Sequence, residues 1–246
     1  MRVWKLLALV VASMVDLSTN RLAHAESGAI EAIAHEPISV MSVIHVGGTI
    51  SQNTNWTAEN VYVMDSDVKV ADGIRLRIQP GVVVKGTTHT RLLVWGVLDA
   101  QGTSEHPIVF TSFRDDTYGG DTNGDGNASV AAPDDWGWIE YEDSSSDAAN
   151  ILTHAVIKYG GRSYWCSAGY CESHYAGVVN LGSASPTISH CTIASNSRYA
   201  ISMDVNSFPT VAGNVMTRNG AGNGIGVYGG TLSSGGDAAQ DRKSVV

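Results

Sequence analysis

A repeat of about 23 residues is the feature that most restricts the fold of this chain. Pro186-Thr187-Ile188 recurs as Pro209-Thr210-Val211, 23 positions later, and residues 152–160 fit the same frame 36 residues before Ile188. A second row of apolar residues has spacings of 23 and 24: Val178, Ile201 and Ile225. Repeats of this length indicate a solenoid, in which each unit buries its apolar side against the next.

Short runs of β-branched residues separated by Gly, Pro and Asn fill the chain after residue 50, as in 74–78, 82–84 and 108–110. Together with the repeat, they predict an all-β, right-handed parallel β-helix over residues 47–234, with roughly six to eight coils. Residues 113–135 and 161–175 interrupt the frame and are predicted loop inserts. An antiparallel sandwich also has short strands, but it does not explain rows of residues 23 apart.

The two ends of the chain differ in composition from this repeating part. Arg2 and Lys5, the apolar stretch 6–15 and Ala23-His24-Ala25 predict a signal peptide over residues 1–25. Residues 26–46 are a predicted lead or cap, with a short amphipathic helix at 28–35. Residues 235–246 are a predicted disordered tail, and its last six residues resemble the translated end of a sequencing adapter, so that the chain is expected to be a fragment.

The charge of the chain limits its partners. Its net charge is −9, and cleavage after residue 25 removes three basic and one acidic side chain, leaving −11. Clustered Lys and Arg are needed to bind phosphates, so we expect no nucleic-acid partner. The apolar stretch 6–15 is too short to span a bilayer, and no later stretch approaches the necessary length, so we also expect no membrane insertion after cleavage and a secreted, periplasmic or cell-surface location.

The sharpest local motif is Asp121-x-Asn123-x-Asp125-Gly126, the first half of a calcium-binding loop. Its twelfth position is Ala132 instead of an acid. We predict that Asp134 and Asp135 complete the ligand set; the alternative donors are Asp115 and Asp116 at the other end of the insert. A structural Ca²⁺ ion is therefore the expected cofactor, and a solvated acidic loop is the alternative.

The second predicted insert is rich in aromatic residues, which stack on sugar rings when they are exposed. The predicted ligand-binding set is Tyr164, Trp165, Tyr170 and Tyr175, and the alternative is that these rings only cover the coil. Cys166 and Cys171 are predicted to form a disulfide across a short loop. Cys191 lies in an alternating apolar pattern and is predicted to be a buried thiol.

Catalytic residues are only weakly indicated. Glu140 and Glu142 alternate with apolar neighbours, so both are expected to point outward from one strand, about 7 Å apart. That separation suits an acid–base pair for glycoside cleavage, although solvated carboxylates are the more ordinary interpretation. A lyase needs a basic side chain instead, for which Lys158 and Arg162 are the candidates.

Several runs resemble the opening of bacterial secreted right-handed parallel β-helix proteins with PbH1-type repeats. These runs are residues 78–85, 93–103, 107–112, 119–126 and 135–139. The resemblance implies the architecture of about residues 47–230. It says less about activity, because that group includes adhesins, glycan-binding modules and polysaccharide-cleaving enzymes.

The sequence thus favours an exported, calcium-stabilised β-helix module that binds a polysaccharide or cell-surface glycan without cleaving it, as an adhesin does. The first alternative is a fragment of a polysaccharide lyase or glycoside hydrolase. The second is a structural stalk of a larger surface protein.

Overall fold

The computed structural model describes residues 41–162 and 177–228, together with the backbone of 166–167 and 170–171. Parallel strands wind as a right-handed parallel β-helix with three faces, so the predicted fold class is confirmed. Each strand pairs with the equivalent strands of the coils before and after it. Six coils contain strands on all three faces, and two strands of a seventh follow within the described residues.

The strands of each face are given together. Two long strands bend from face 1 to face 2: β1 (Ser42–Ile50) and β3 (Asn60–Val70). Face 1 continues with β5 (Val83–Gly86), β8 (Ile108–Ser112), β11 (Ala155–Lys158), β16 (Thr192–Ala194) and β19 (Val215–Thr217). Face 2 continues with β6 (Leu92–Val94), β9 (Ile139–Tyr141), β14 (Gly177–Leu181), β17 (Tyr199–Met203) and β20 (Gly222–Val227). Face 3 contains β2 (Thr54–Trp56), β4 (Arg75–Ile78), β7 (Val97–Gln101), β10 (Ile151–Thr153), β15 (Thr187–Ser189) and β18 (Thr210–Ala212).

Two elements lie outside this stack. A short antiparallel hairpin consists of β12 (Cys166–Ser167) and β13 (Tyr170–Cys171). A single turn of 3-10 helix, Asp147–Ala149, lies in the connection between β9 and β10. Within the described residues, no helix is long and apolar enough to cross a bilayer.

The strand pairing tests the predicted register. Ile188 pairs with Leu152 and Val211, which confirms the spacings of 36 and 23 residues on face 3. On face 2 Ile201 pairs with Ile225, but its other partner is Val179 and not the predicted Val178. The connection 182–186 is one residue shorter than the connection 204–209, so the spacing on face 2 is 22 where that on face 3 is 23.

The core fills the inside of the coils. Alternate residues of the strands point inward, and the resulting columns are almost entirely aliphatic, as in Ile78, Ala100, Leu152 and Ile188 on face 3. Because each coil buries this surface only against its neighbours, the stack behaves as one continuous core.

Two of the corners between faces are built from repeated residues in the left-handed backbone region. His154, His190 and Gly213 connect face 3 to face 1 with φ of 49°, 54° and 64°. The two imidazole rings stack with centroids 5.0 Å apart and planes 9° apart, so these histidines occupy equivalent positions in the repeat.

The corner from face 1 to face 2 carries an asparagine ladder. The Asn196 amide oxygen accepts the Gly160 N–H at 2.8 Å, and its Nδ2 donates to Asn219 Oδ1 at 2.9 Å. Asn223 Oδ1 accepts the Asn219 N–H in turn. These side chains supply hydrogen bonds that the strands cannot make where the chain turns.

The two predicted inserts lie within the long connections from face 1 to face 2. The first occupies 113–138, between β8 and β9, and the second 159–176, between β11 and β14. Strand β1 begins at Ser42, within the segment 26–46 that we predicted as a lead or cap. The predicted signal peptide, the helix at 28–35 and the tail 235–246 lie outside the described residues.

Candidate functional site

The tip of the first insert gathers the residues of the acidic motif. Asp121 accepts the backbone N–H groups of Gly124, Asp125 and Gly126 at 2.8–3.2 Å. Asn123 Nδ2 donates to Asp125 Oδ2 at 3.0 Å. This is a tight loop in which one carboxylate oxygen each of Asp121 and Asp125 lie within 4.8 Å of each other.

The third carboxylate of this group is Asp116. One oxygen atom each of Asp116, Asp121 and Asp125 lie within 4.8 Å of one another. Asp116 Oδ1 and Thr122 Oγ1 are buried atoms with no hydrogen-bond partner among the described residues. Three carboxylates this close repel one another unless a cation or a proton compensates them.

Asp134 and Asp135, which we predicted to complete the ligand set, do not belong to this group of three carboxylates. Asp135 accepts hydrogen bonds from Ser112 Oγ at 2.7 Å and from the Ala132 N–H at 2.9 Å, and pairs with Arg114 at 3.2 Å. Asp134 accepts from Ser197 Oγ at 2.9 Å. Both residues attach the returning end of the insert to the coil, so the alternative donor Asp116 takes their place in the carboxylate group.

The second insert begins beside this returning end. The Arg162 N–H donates to the carbonyl of Trp136, and its guanidinium donates to His89 Nε2 at 3.0 Å and to the Asp134 carbonyl at 3.3 Å. Lys158 lies on face 1, with its Nζ 4.5 Å from the ring centroid of Tyr159. Partial burial acts to lower the pKa of Lys158, but the hydrogen bond to Tyr159 and nearby charges together raise it. Neither basic residue therefore lies on the strand that carries Glu140.

Most of the predicted aromatic ligand-binding set lies outside the described residues: Tyr164, Trp165 and Tyr175, and also the side chain of Tyr170. The backbone of the hairpin places Cys166 directly opposite Cys171. Directly paired positions in antiparallel strands are close enough for a disulfide, and the bond itself stays a prediction. Cys191 is buried, and its burial raises the pKa of the thiol to about 11.

The outward side of face 2 carries a row of polar side chains that are buried. Glu140, Asn180 and Ser202 occupy paired positions in successive coils and are at most 4% exposed. Ser202 donates to Asn180 Oδ1, and Trp138 Nε1 donates to Glu140 Oε2 at 2.9 Å. Glu140 points outward, as predicted, but it is not solvated.

A second row lies beside the first one and is formed by residues that directly follow the strands of face 2. The backbone N–H groups of Trp95, Glu142, Asp204 and Tyr228 each donate to the preceding coil. Burial raises the pKa of the Tyr228 phenol to about 12, helped by the charges of Asp204, Glu140 and Glu142. Trp95 is 38% exposed, and Lys69 Nζ lies 3.0 Å from its ring centroid.

We did not select Trp95, Asn180, Ser202 or Tyr228 from the sequence. The repeat contains a signal for two of them, because Asn180 and Ser202 are both polar residues flanked by apolar ones at a spacing of 22. Trp95 and Tyr228 lie in a row only because the coils stack, and their distance in sequence gives no such indication.

Comparison with known proteins agrees with this architecture. Residues 48–169, close to half of the chain, match the family model of a pectate-lyase like beta helix domain. A comparison with curated proteins and with solved structures gives no significant match. The family match and the parallel strand order together identify the chain as a parallel β-helix protein.

Proposed function

We propose that this parallel β-helix protein is an exported module that binds a polysaccharide or cell-surface glycan along face 2 and carries a calcium ion in its first insert. The observation that carries the proposal is the row from Trp95 to Tyr228. It combines aromatic rings with Glu142 and Asp204 beside the buried polar row. Sugars present apolar ring faces and hydroxyl groups, which these two kinds of side chain bind.

The dimensions of the row favour a chain-like ligand. Trp95, Glu142, Asp204 and Tyr228 lie on the third, fourth, sixth and seventh coils. With coils about 4.8 Å apart, the backbones of the two aromatic residues at its ends are separated by about 19 Å along the axis. The Tyr228 hydroxyl donates to the Leu181 carbonyl of the fifth coil, so its side chain lies along the row. A surface of this length and narrow width suits several consecutive units of a polymer better than one small molecule.

The glycan proposal is tested with immobilised polysaccharides and the purified protein. Replacing Trp95 by Ala is expected to weaken binding about tenfold, which corresponds to about 1.4 kcal/mol. The matched control is Phe208→Ala, since Phe208 is an aromatic residue that is 71% exposed but does not belong to the row. Equal affinities of the Trp95→Ala variant and the parent protein would contradict the proposal.

Calcium in the insert is supported by the chemistry of the residues present. Ca²⁺ prefers carboxylate and carbonyl oxygens, and Asp116, Asp121 and Asp125 would hold it, with the unpartnered oxygens of Asp116 and Thr122 among the available donors. The ion would offset the repulsion among the carboxylates. Its role in this proposal is structural.

Calcium binding is tested by isothermal titration of the metal-free protein. The parent protein is expected to bind calcium with a measurable Kd, and Asp121→Asn is expected to weaken calcium binding at least about tenfold. Asp72→Asn, an exposed acidic residue on another part of the solenoid, is the control. Absence of heat from the parent protein at millimolar calcium would remove the metal from the proposal.

Glycoside hydrolysis is a second candidate because Glu140 is buried, bonded to Trp138 and close in sequence to Glu142. Release of reducing ends from a bound polysaccharide, abolished in Glu140→Gln, would favour it over simple binding. Binding without release favours the module. A protein inert in both assays would instead favour the structural stalk.

Export is supported by the sequence pattern of residues 1–25. Mass spectrometry of protein recovered outside the cytoplasm is expected to find a chain that begins at Glu26. An intact first segment would contradict this part of the proposal.

A further inference from the structure

Lys85 is a basic residue with no exposed surface beneath the acidic insert. It lies on β5 between Val63 of β3 and Thr111 of β8, and points outward from the coil. The side chain is 0% exposed, and its Nζ donates to the Gly120 carbonyl at 2.6 Å. An ammonium group removed from water destabilises a protein unless nearby groups compensate it.

The compensating groups belong to the insert. Burial lowers the pKa of Lys85, whereas the negative charges of Asp116, Asp115 and Asp121 oppose that shift. Asp115 is itself buried and accepts a hydrogen bond from Thr111 Oγ1 at 2.5 Å. The positive charge of Lys85 and the negative charges of the insert thus lie close together on the outer side of face 1.

The same part of the insert rests on an apolar row. Val61, Val83 and Val109 form a buried cluster on the outer side of face 1, against which Tyr118 packs. Gly119 has φ of 68°, and a Cβ atom there would lie 2.8 Å from Val61 Cγ2. Residues 115–120, which we call the stem, therefore lie directly on the strands.

The rest of the loop has a different kind of support. Residues 121–130, which we call the tip, include the exposed Asp121 and Asp125. Asp121 binds tip amides, and Ser129 donates to Asp125 Oδ2 at 2.5 Å. The tip is thus held by its own side chains and backbone, whereas the stem is held by the coil.

We propose that Lys85 is the built-in cation of the first insert: it fixes the stem, including Asp116, to face 1 without metal, so that a divalent cation held by Asp116 and the two carboxylates of the tip controls the order of the tip alone. The stem of the insert is then attached to the coil with or without metal, and the tip is ordered only when metal is bound. Only the metal-dependent half of this inference rests on the proposed function.

Hydrogen–deuterium exchange of the full chain, with calcium or with EGTA, separates the two parts. EGTA is expected to speed exchange of the tip about tenfold and to leave the stem unchanged. In Lys85→Met, which keeps length and removes charge, exchange of the stem is expected to rise about tenfold in both conditions. The Gly124 and Gly126 amides report on the tip, and the Asp115 and Thr117 amides on the stem.

Gly119→Ala is the second variant, because it disturbs the contact with Val61 without removing a charge and is expected to loosen the stem as well. Val130→Ala, at an exposed residue of the tip, is the matched control. Unchanged exchange of face 3 shows that each variant keeps the coil. A stem that stays protected in Lys85→Met, or one that EGTA releases together with the tip, would overturn the inference. If EGTA alters neither part, the calcium proposal and the metal-dependent half fail, while the variants still decide the role of Lys85.

Discussion

The coils and the first insert are parts of one chain that are stabilised in opposite ways. In the coils, aliphatic columns such as Ala100–Leu152–Ile188 fill the interior, and parallel strands satisfy the backbone. In the tip of the insert, Asp121 and Asn123 satisfy the backbone instead, and little apolar surface is buried. The coils therefore depend on packing, and the tip depends on charge and short-range hydrogen bonds.

This difference shows how a solenoid accepts a long insertion. The insert leaves after β8 and returns before β9, yet both strands keep their places in the stack. Its ends are bonded to the coil through Asp115 and Asp135. A loop attached at its base adds flexibility at its tip without disturbing the core.

The strongest test of the coil is a cavity in its interior. Leu152→Ala removes a side chain that is 0% exposed, and the expected loss is about 2–5 kcal/mol of unfolding free energy, measured by urea denaturation. Ile151→Ala is the control, because Ile151 is the half-buried neighbour that points outward. Similar losses for both variants would show that the interior is not a packed core.

The corner ladder is expected to matter less than the core but more than any surface residue. Asn196→Ala leaves the buried Gly160 N–H without its side-chain partner, at a cost of about 1–3 kcal/mol. Asn55→Ala, at an exposed position of β2, is expected to change stability by no more than about 0.5 kcal/mol. If Asn196→Ala were as stable as Asn55→Ala, the asparagine ladder would contribute no more to stability than a surface residue.

The thiol of Cys191 makes the coil sensitive to alkaline pH. Burial raises its pKa from 9.0 to about 11, so the folded state holds the proton more tightly than the unfolded state, and stability falls as pH rises from 9 to 11. At pH 9.5 the loss is below about 1 kcal/mol. Cys191→Ala is expected to lack this component, as measured by urea midpoints at pH 8 and 9.5. Parallel pH dependence of parent and variant would refute the assignment.

The smallest effect on global stability is expected from the tip. Asp121→Ala without calcium should shift the unfolding free energy by no more than about 0.5 kcal/mol, because the coils do not depend on it. Cleavage by a nonspecific protease between residues 121 and 130 should nevertheless become faster. Asp72→Ala should alter neither quantity, and global unfolding caused by Asp121→Ala would show that the insert and the coils are one unit.

The repeat predicted the fold because residues at equivalent positions of the repeat pair with each other in the sheet. Thr187 aligns with Thr210 in the sequence and pairs with it in the sheet. The same reasoning was wrong for Val178, since adjacent valines at 178 and 179 fit an apolar row equally well and the short connection 182–186 set the register. The spacing of residues in the sequence therefore predicts strand register only where the connections between strands have the same length in successive coils.

The site was less predictable than the coil. The motif identified Asp121 and Asp125 as neighbours, because residues two and four apart in a tight turn are close by geometry. It did not decide between Asp116 and Asp134–Asp135, since all three flank the motif. The path of the insert, fixed by Asp135 on Ser112 and by Tyr118 on the valine cluster, brought Asp116 to the group.

The sequence by itself determined that short strands stack as coils of a parallel β-helix and that two inserts interrupt them, because period and alternation are local properties of the chain. Only the tertiary structure decided which side chains meet across coils. Trp95 and Tyr228 share one row, and Lys85 lies beneath Gly120, because winding brings together residues that are far apart in sequence. Burial then gives an ordinary lysine or glutamate its particular environment, and no pattern along the chain records that burial.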